Sequence, residues 1–117
     1  APAFNTTYGG DCSNIYYINN INTEDESIAA KIEEIQSDVS APNKYFLGYD
    51  IVMAAADCIE KVGTDYTALH DAFENLSYEG ITGKITIDPA NHMPTGMSMY
   101  MYTYDNQTPV MLEQFAG

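Results

Sequence analysis

The chain has 117 residues, with 17 acidic side chains against four basic ones and a net charge of −13. That length allows one domain at most, and the 45% hydrophobic content is that of a globular chain and not of a disordered one. A field this negative repels a phosphate backbone and an anionic membrane surface, which argues against nucleic acid and lipid as partners.

No apolar run approaches the length of a membrane span. Ala1-Pro2-Ala3-Phe4 has neither a basic segment nor an apolar one, so this start is not read as a signal peptide. The two cysteines, Cys12 and Cys58, leave two readings. They pair as a disulfide in an exported chain, or they stay free, with Cys58 a small buried hydrophobe. The place of Cys58 on an apolar helix face favours the second. Their spacing is not CxxC, which leaves no support for a metal or redox motif.

In chain order, residues 1–14 read as irregular, with Asn5-Thr6-Thr7 and Tyr8-Gly9-Gly10-Asp11 as turn material. Ile15-Tyr16-Tyr17-Ile18 is a short strand bounded by asparagines. Thr23-Glu24-Asp25-Glu26 fits a capping box and opens a first helix, whose buried face is Ile28, Ile32 and Ile35. That helix fades over Gln36 to Val39, and Ser40-Ala41-Pro42-Asn43 breaks it.

The longest apolar-periodic run follows, starting as early as Asn43 and strongest over Gly48-Tyr49-Asp50-Ile51-Val52-Met53-Ala54-Ala55-Ala56-Asp57-Cys58-Ile59-Glu60-Lys61-Val62-Gly63. Ile51, Val52, Ala55, Cys58, Ile59 and Val62 keep helical spacing and define the expected core face. Asp50, Asp57, Glu60 and Lys61 fall mostly on the other side. Gly63 suits the left-handed stop. Thr64 caps a third helix with Leu69, Ala72, Phe73 and Leu76 inward, ended by Tyr78-Glu79-Gly80. Ile81, Gly83, Ile85 and Ile87 then alternate with polar residues as a strand. Asp88-Pro89-Ala90-Asn91 is a turn, and Met97 to Tyr104 a Met- and Tyr-rich strand packed on one face. Asp105-Asn106-Gln107 is a hairpin turn before a last strand around Val110-Met111-Leu112.

Catalytic constellations are not found. His70 and His92 read as surface residues, at no metal-ligand spacing from a cysteine or from each other. No GxSxG, P-loop or dinucleotide fingerprint occurs. Asp105 and Asn106 lack the spaced carboxylates of a calcium loop. The Asn-x-Ser/Thr triplets at Asn5, Asn75 and Asn106 matter only in a glycosylating host. From the residues alone, Asp11 reads first as a turn aspartate; as a carboxylate on a loop before a strand, it also suits gripping an ammonium group.

The run Gly48 to Gly63, together with Asp71-Ala72-Phe73-Glu74-Asn75-Leu76-Ser77-Tyr78-Glu79-Gly80-Ile81-Thr82-Gly83-Lys84-Ile85-Thr86-Ile87-Asp88, resembles a recurrent segment of the type I periplasmic binding proteins that feed ABC importers, above all the branched-chain amino acid and amide group. There a "YDAv…A-ie-aG" helix precedes an "l-d-al…f-G-tG-i-fd" helix and strand. Upstream, Ile15 to Asn19 resembles the strand leading back through the hinge, and Thr23 to Gln36 the helix after it. Met97 to Tyr104 resembles the late strand returning toward the second lobe. The resemblance covers about nine-tenths of the chain.

The resemblance implies an α/β fold: part of a Rossmann-like lobe, about three helices with a short N-terminal strand and a C-terminal antiparallel β pair. Residues 1–117 would be a single C-terminal portion of a two-lobed protein. The implied function is that of the substrate-binding component of an ABC importer, closing about its hinge on a branched-chain type amino acid or related small solute, without catalysis. The implied partners are that amino acid or amide, a membrane permease, and the rest of the two-lobed protein or a second copy. No cofactor, metal or nucleic acid is implied, and the location is periplasmic or extracellular, free or membrane-anchored. Tyr8-Gly9-Gly10-Asp11 resembles the loop whose acid contacts the ligand's ammonium, so Asp11 is a ligand-binding candidate. Tyr45 and Phe46 lie where the family approaches its cleft. The second reading is a standalone module that dimerises or pairs its strands with a partner, because the apolar face of the core helix needs a cover. An enzyme is the third.

Overall fold

A computed structural model describes residues 7–35, 39 and 41–115. The expected irregular opening at 1–6 with its Asn5 triplet, and the fading of the first helix over Gln36 to Asp38 and at Ser40, lie outside the described residues. The order is β1 (Tyr17–Asn19), α1 (Glu26–Ile35), α2 (Pro42–Val62), α3 (Tyr66–Glu74), β2 (Ser77–Gly80), β3 (Gly83–Ile87), β4 (Pro94–Met97), β5 (Met99–Asp105) and β6 (Thr108–Phe115). The architecture is α/β, with two three-stranded sheets in the orders β1-β5-β6 and β2-β3-β4, every pairing antiparallel.

The helix starts differ from the expected ones by one or two residues. Asp25, not Thr23, caps α1, because its Oδ1 accepts from the Ser27 and Ile28 amides at 2.9 and 3.2 Å. Thr23 is engaged elsewhere, its amide donating to the Tyr102 phenol at 2.8 Å. Asp65, not Thr64, caps α3 by accepting from the Ala68 amide at 3.0 Å. Pro42 begins α2, where its missing N–H leaves nothing unpaired. Gly63 ends it as expected, at φ 76° with its amide on the Ile59 carbonyl.

The buried face of α2 is only in part the expected one: Cys58 points inward as expected, and most of the rest of that face does not. Phe46, Asp50, Ala54 and Cys58 point inward, while Ile51 and Val52 are 57% and 67% exposed and Ile59 and Val62 are also largely exposed. Ala54 and Cys58 pack with Leu76 and Ile85, flanked by Leu69 and Ala72 of α3 and by Tyr78, Ile87 and Met97. The reason for the turn of the helix is Asp50, expected outward but 0% exposed. Its carboxylate accepts from the Ile81 amide at 2.9 Å, the Thr82 amide at 2.7 Å and the Thr82 hydroxyl at 2.7 Å. A buried carboxylate with three donors is satisfied, and apolar periodicity does not register such partners.

Those donors sit in the tight turn of a hairpin that was expected to be a helix end followed by one strand. β2 and β3 pair from Ser77 opposite Thr86 to Gly80 opposite Gly83, with Ile81-Thr82 as the turn. Gly80 lies against the carboxylate: a Cβ there would fall 2.8 Å from Asp50 Oδ1 and closer still to Oδ2. Gly83, at φ 104°, supplies the backbone hand the turn needs, and a Cβ on it would meet the Ser98 amide nitrogen at 2.9 Å. Ser98 interrupts the expected Met97–Tyr104 strand: β4 ends before it in one sheet and β5 starts after it in the other.

The β1-β5-β6 sheet is built on tyrosines. β1 begins at Tyr17, two residues later than expected, and pairs Tyr17 with Tyr102. Tyr102 is fully buried, and its phenol donates to the Ile21 carbonyl at 3.1 Å while accepting from the Thr23 amide. It thereby joins the sheet to the connection before α1. Tyr17 stacks on Tyr102 with centroids 5.4 Å apart and lies 5.5 Å from the Tyr104 ring. The β5–β6 hairpin turns through Asn106 at φ 58°, as expected for Asp105-Asn106-Gln107. Cys12 and Cys58 are both buried and both free.

Two outcomes follow from these contacts. Asp50→Ala leaves two amides and a hydroxyl without their acceptor and should lower the unfolding free energy by about 3 kcal/mol or more, against about 1 kcal/mol for Thr82→Val. Urea unfolding reads this as a lower midpoint at similar slope; equal losses in the two variants would show that the carboxylate is not the tie. Burial, then the neighbouring Tyr104 and Tyr102, pushes the Tyr17 phenol well above its ordinary value. The unfolded chain therefore releases this proton first as pH rises, so the stabilisation is whole below about pH 10 and is lost above it. Unfolding measured between neutral pH and about pH 11 should show a smaller alkaline loss in Tyr17→Phe than in the parent chain.

Candidate functional site

A hollow of about 520 Å³ lies where the two sheets meet the helices. Asn22 and the start of α1 form one wall, and Tyr49 and Asp50 of α2 the wall opposite. The β2 hairpin contributes Tyr78 to Ile81, and the ends of β5 and β6 contribute Tyr100 and Gln114. Asp50 is its floor, already saturated by the turn. Asp25 on the rim is held below the usual carboxylate range by hydrogen bonds from the Ser27 hydroxyl and the Ile28 and Ser27 amides. It thus remains charged, with its Oδ1 committed to its own helix. Burial, then the Asp50 charge, pushes the Tyr78 phenol up and keeps its proton in place as a donor.

Lys31 is the cation on this wall, and among the described residues no carboxylate pairs with it. Tyr49, Tyr78 and Tyr100 line the same hollow. An ammonium beside phenols and amides can hold a small carboxylate-bearing solute and stack its apolar part.

Tyr45 and Phe46 lie in the first turn of α2. Their rings meet edge to face at 5.7 Å, with Tyr45 45% exposed and Phe46 buried beneath it. Both line a second hollow of about 230 Å³ that shares Lys31, Tyr49 and Ile81 with the larger one, so the two form one groove. Asp11 lines neither. It is exposed and accepts from the Ser13 amide and hydroxyl at 2.9 and 3.0 Å. Its loop is held at the turn end of the β5–β6 hairpin by the Cys12 amide on the Asn106 carbonyl at 3.1 Å. Tyr100, at the groove, is six residues from Asn106 along β5, or about 20 Å at strand spacing. The structure therefore brings Tyr45 and Phe46 together and leaves Asp11 at the other end of the sheet. Lys31, Tyr78 and Tyr100 had no sequence signal as a set, because they come from three elements. Tyr49 did have one: it follows Tyr45 by one helical turn.

No protein-family model matches the chain, and no match was found among curated protein sequences. Among solved structures, the chain is similar to a leucine-binding protein, LivK, from Thermotoga maritima, with TM-score 0.61 and 18% identity over 87% of this chain and 31% of that one. It is also similar to a solute-binding protein of an ABC transporter from Rhodopseudomonas palustris, solved with 3,4-dihydroxybenzoic acid, with TM-score 0.57 and 20% identity over 87% of this chain and 31% of that one. The chain thus spans about a third of the length of these structures, and at such identities the likeness is one of fold. The described helices and the two antiparallel sheets have the fold of part of these two solute-binding proteins.

Proposed function

We propose that this chain is a C-terminal portion of the substrate-binding component of an ABC importer, acting in the periplasm or outside the cell. It binds a branched-chain type amino acid or a related small carboxylate by hinge closure and passes it to a membrane permease. The observation that carries this reading is the fold shared over 87% of the chain with two solute-binding proteins, one named for leucine and one solved with an aromatic acid. The groove supports it, since Lys31 suits the carboxylate common to both solutes. In this reading Tyr45 closes over the solute, Phe46 shapes the floor beneath it, and Asp11 contacts an ammonium group once the rest of a two-lobed protein folds the loop toward the cleft. The incomplete state is supported by shape. The radius of gyration is 17.0 Å, where a compact chain of this length has about 13 Å.

A second reading is favoured by one observation, the exposed apolar side of α2 around Ile51, Val52 and Ile59. A standalone module that covers this face with a second copy would explain it. Thermal unfolding with leucine, isoleucine, valine and 3,4-dihydroxybenzoate separates the two. Solute binding should stabilise the chain, by about 2.7 kcal/mol at a hundredfold excess over Kd. Tyr45→Ala should weaken that response about tenfold, with little change in the unliganded chain. No response to any solute, together with a dimer by sedimentation, would overturn the solute-binding reading in favour of the second.

A further inference from the structure

We propose that His70, Glu74 and His92 form a surface site for a divalent transition ion of the zinc class, separate from the solute groove. His70 and Glu74 stand one helical turn apart on α3, so their side chains share a face. His70 Nε2 lies 3.8 Å from Glu74 Oε1. His92, from the β3–β4 connection, brings its Nδ1 to 3.8 Å from the same oxygen. Both separations are too long for hydrogen bonds. One carboxylate oxygen thus stands near an imidazole nitrogen of each histidine and is bonded to neither. Ligand atoms on a tetrahedral zinc, each about 2.0–2.1 Å from the ion, stand about 3.4 Å apart. Among the described residues of the metal-free chain only His70, Asp71 and Glu74 bring ligand atoms within 4.8 Å of one another, so His92 must swing in to complete the set, and both histidines are at least half exposed and have room to turn.

The surroundings are those of a metal ligand set. The other nitrogen of His70, Nδ1, stands 3.6 Å from Asp71 Oδ1, also beyond a hydrogen bond, and closing that gap lets the carboxylate orient the ligating imidazole and raise its basicity. His92 is presented by an ordered turn. Its amide donates to the Asp88 carbonyl at 2.8 Å, while the Asp88 carboxylate takes the Ala90 amide and the Asn91 side chain, both at 2.8 Å. Two imidazoles and one carboxylate select zinc-class ions over calcium and magnesium, which prefer all-oxygen sets. Three protein ligands leave a fourth position for water. The net charge of −13 draws cations to the surface. An ion held here ties α3 to the β3–β4 connection.

The test uses zinc alone on the metal-free chain, by calorimetry and thermal unfolding. One zinc per chain should bind and raise the unfolding temperature, with no such shift from calcium or magnesium at the same concentration. His70→Ala and His92→Ala should each weaken zinc binding at least about tenfold and leave the metal-free unfolding temperature unchanged. Cobalt in place of zinc should give a visible absorption that His92→Ala removes. The proposal is overturned if the chain takes no zinc, or if the double variant His70→Ala/His92→Ala binds it as tightly as the parent. The second result would place the ion on the general acidic surface or on the cysteines. Neither result bears on solute binding.

Discussion

The structure depends on one buried carboxylate. Removing a charge from water is costly, and Asp50 meets that cost with two turn amides and a hydroxyl within 2.9 Å. The arrangement places three demands on the chain at once. α2 must rotate until Asp50 faces the hairpin, the turn must present consecutive amides, and Gly80 must carry no side chain where the carboxylate lies. Tyr49-Asp50 on α2 and Gly80-Ile81-Thr82-Gly83 in the hairpin are therefore one structural unit, although about thirty residues separate them.

The rotation of α2 decides what is covered and what is not. With Phe46, Asp50, Ala54 and Cys58 inward, the small β2-β3-β4 sheet and α3 close over one side of the helix. The richer apolar side, with Ile51, Val52 and Ile59, is left to solvent. A 21-residue helix with two apolar sides suits a place between two layers, and the described residues cover one side. The elongated outline and the 31% span of the similar structures agree with that account.

A second tie, the Tyr102 phenol, holds the β1-β5-β6 sheet to the connection before α1. Between the two ties the chain crosses from sheet to sheet at Ser98, a crossing made close by the bare Gly83. The groove is the space these constraints leave open. Its floor is the saturated Asp50, its cation is Lys31, and its aromatic walls are tyrosines from the helix, the hairpin and the sheet. The surrounding fold is shared with part of two solute-binding proteins.

Local physics made much of this legible in the sequence. The three helices, the Gly63 stop, the Asp105-Asn106-Gln107 turn and the family resemblance all rest on signals within a few residues of one another: periodicity, capping and left-handed glycine. What tertiary structure alone decided was the direction of α2, because periodicity counts apolar side chains and cannot see that Asp50 has three donors waiting more than thirty residues away. Tertiary structure likewise decided the hairpin at Ile81-Thr82, whose turn lacks the usual Asn-Gly signal and is held from outside by that carboxylate. It also parted Asp11 from Tyr45 and Phe46 and drew His92 to Glu74. Closeness between residues on different elements follows from packing, and packing here follows from one charge that had to be satisfied indoors.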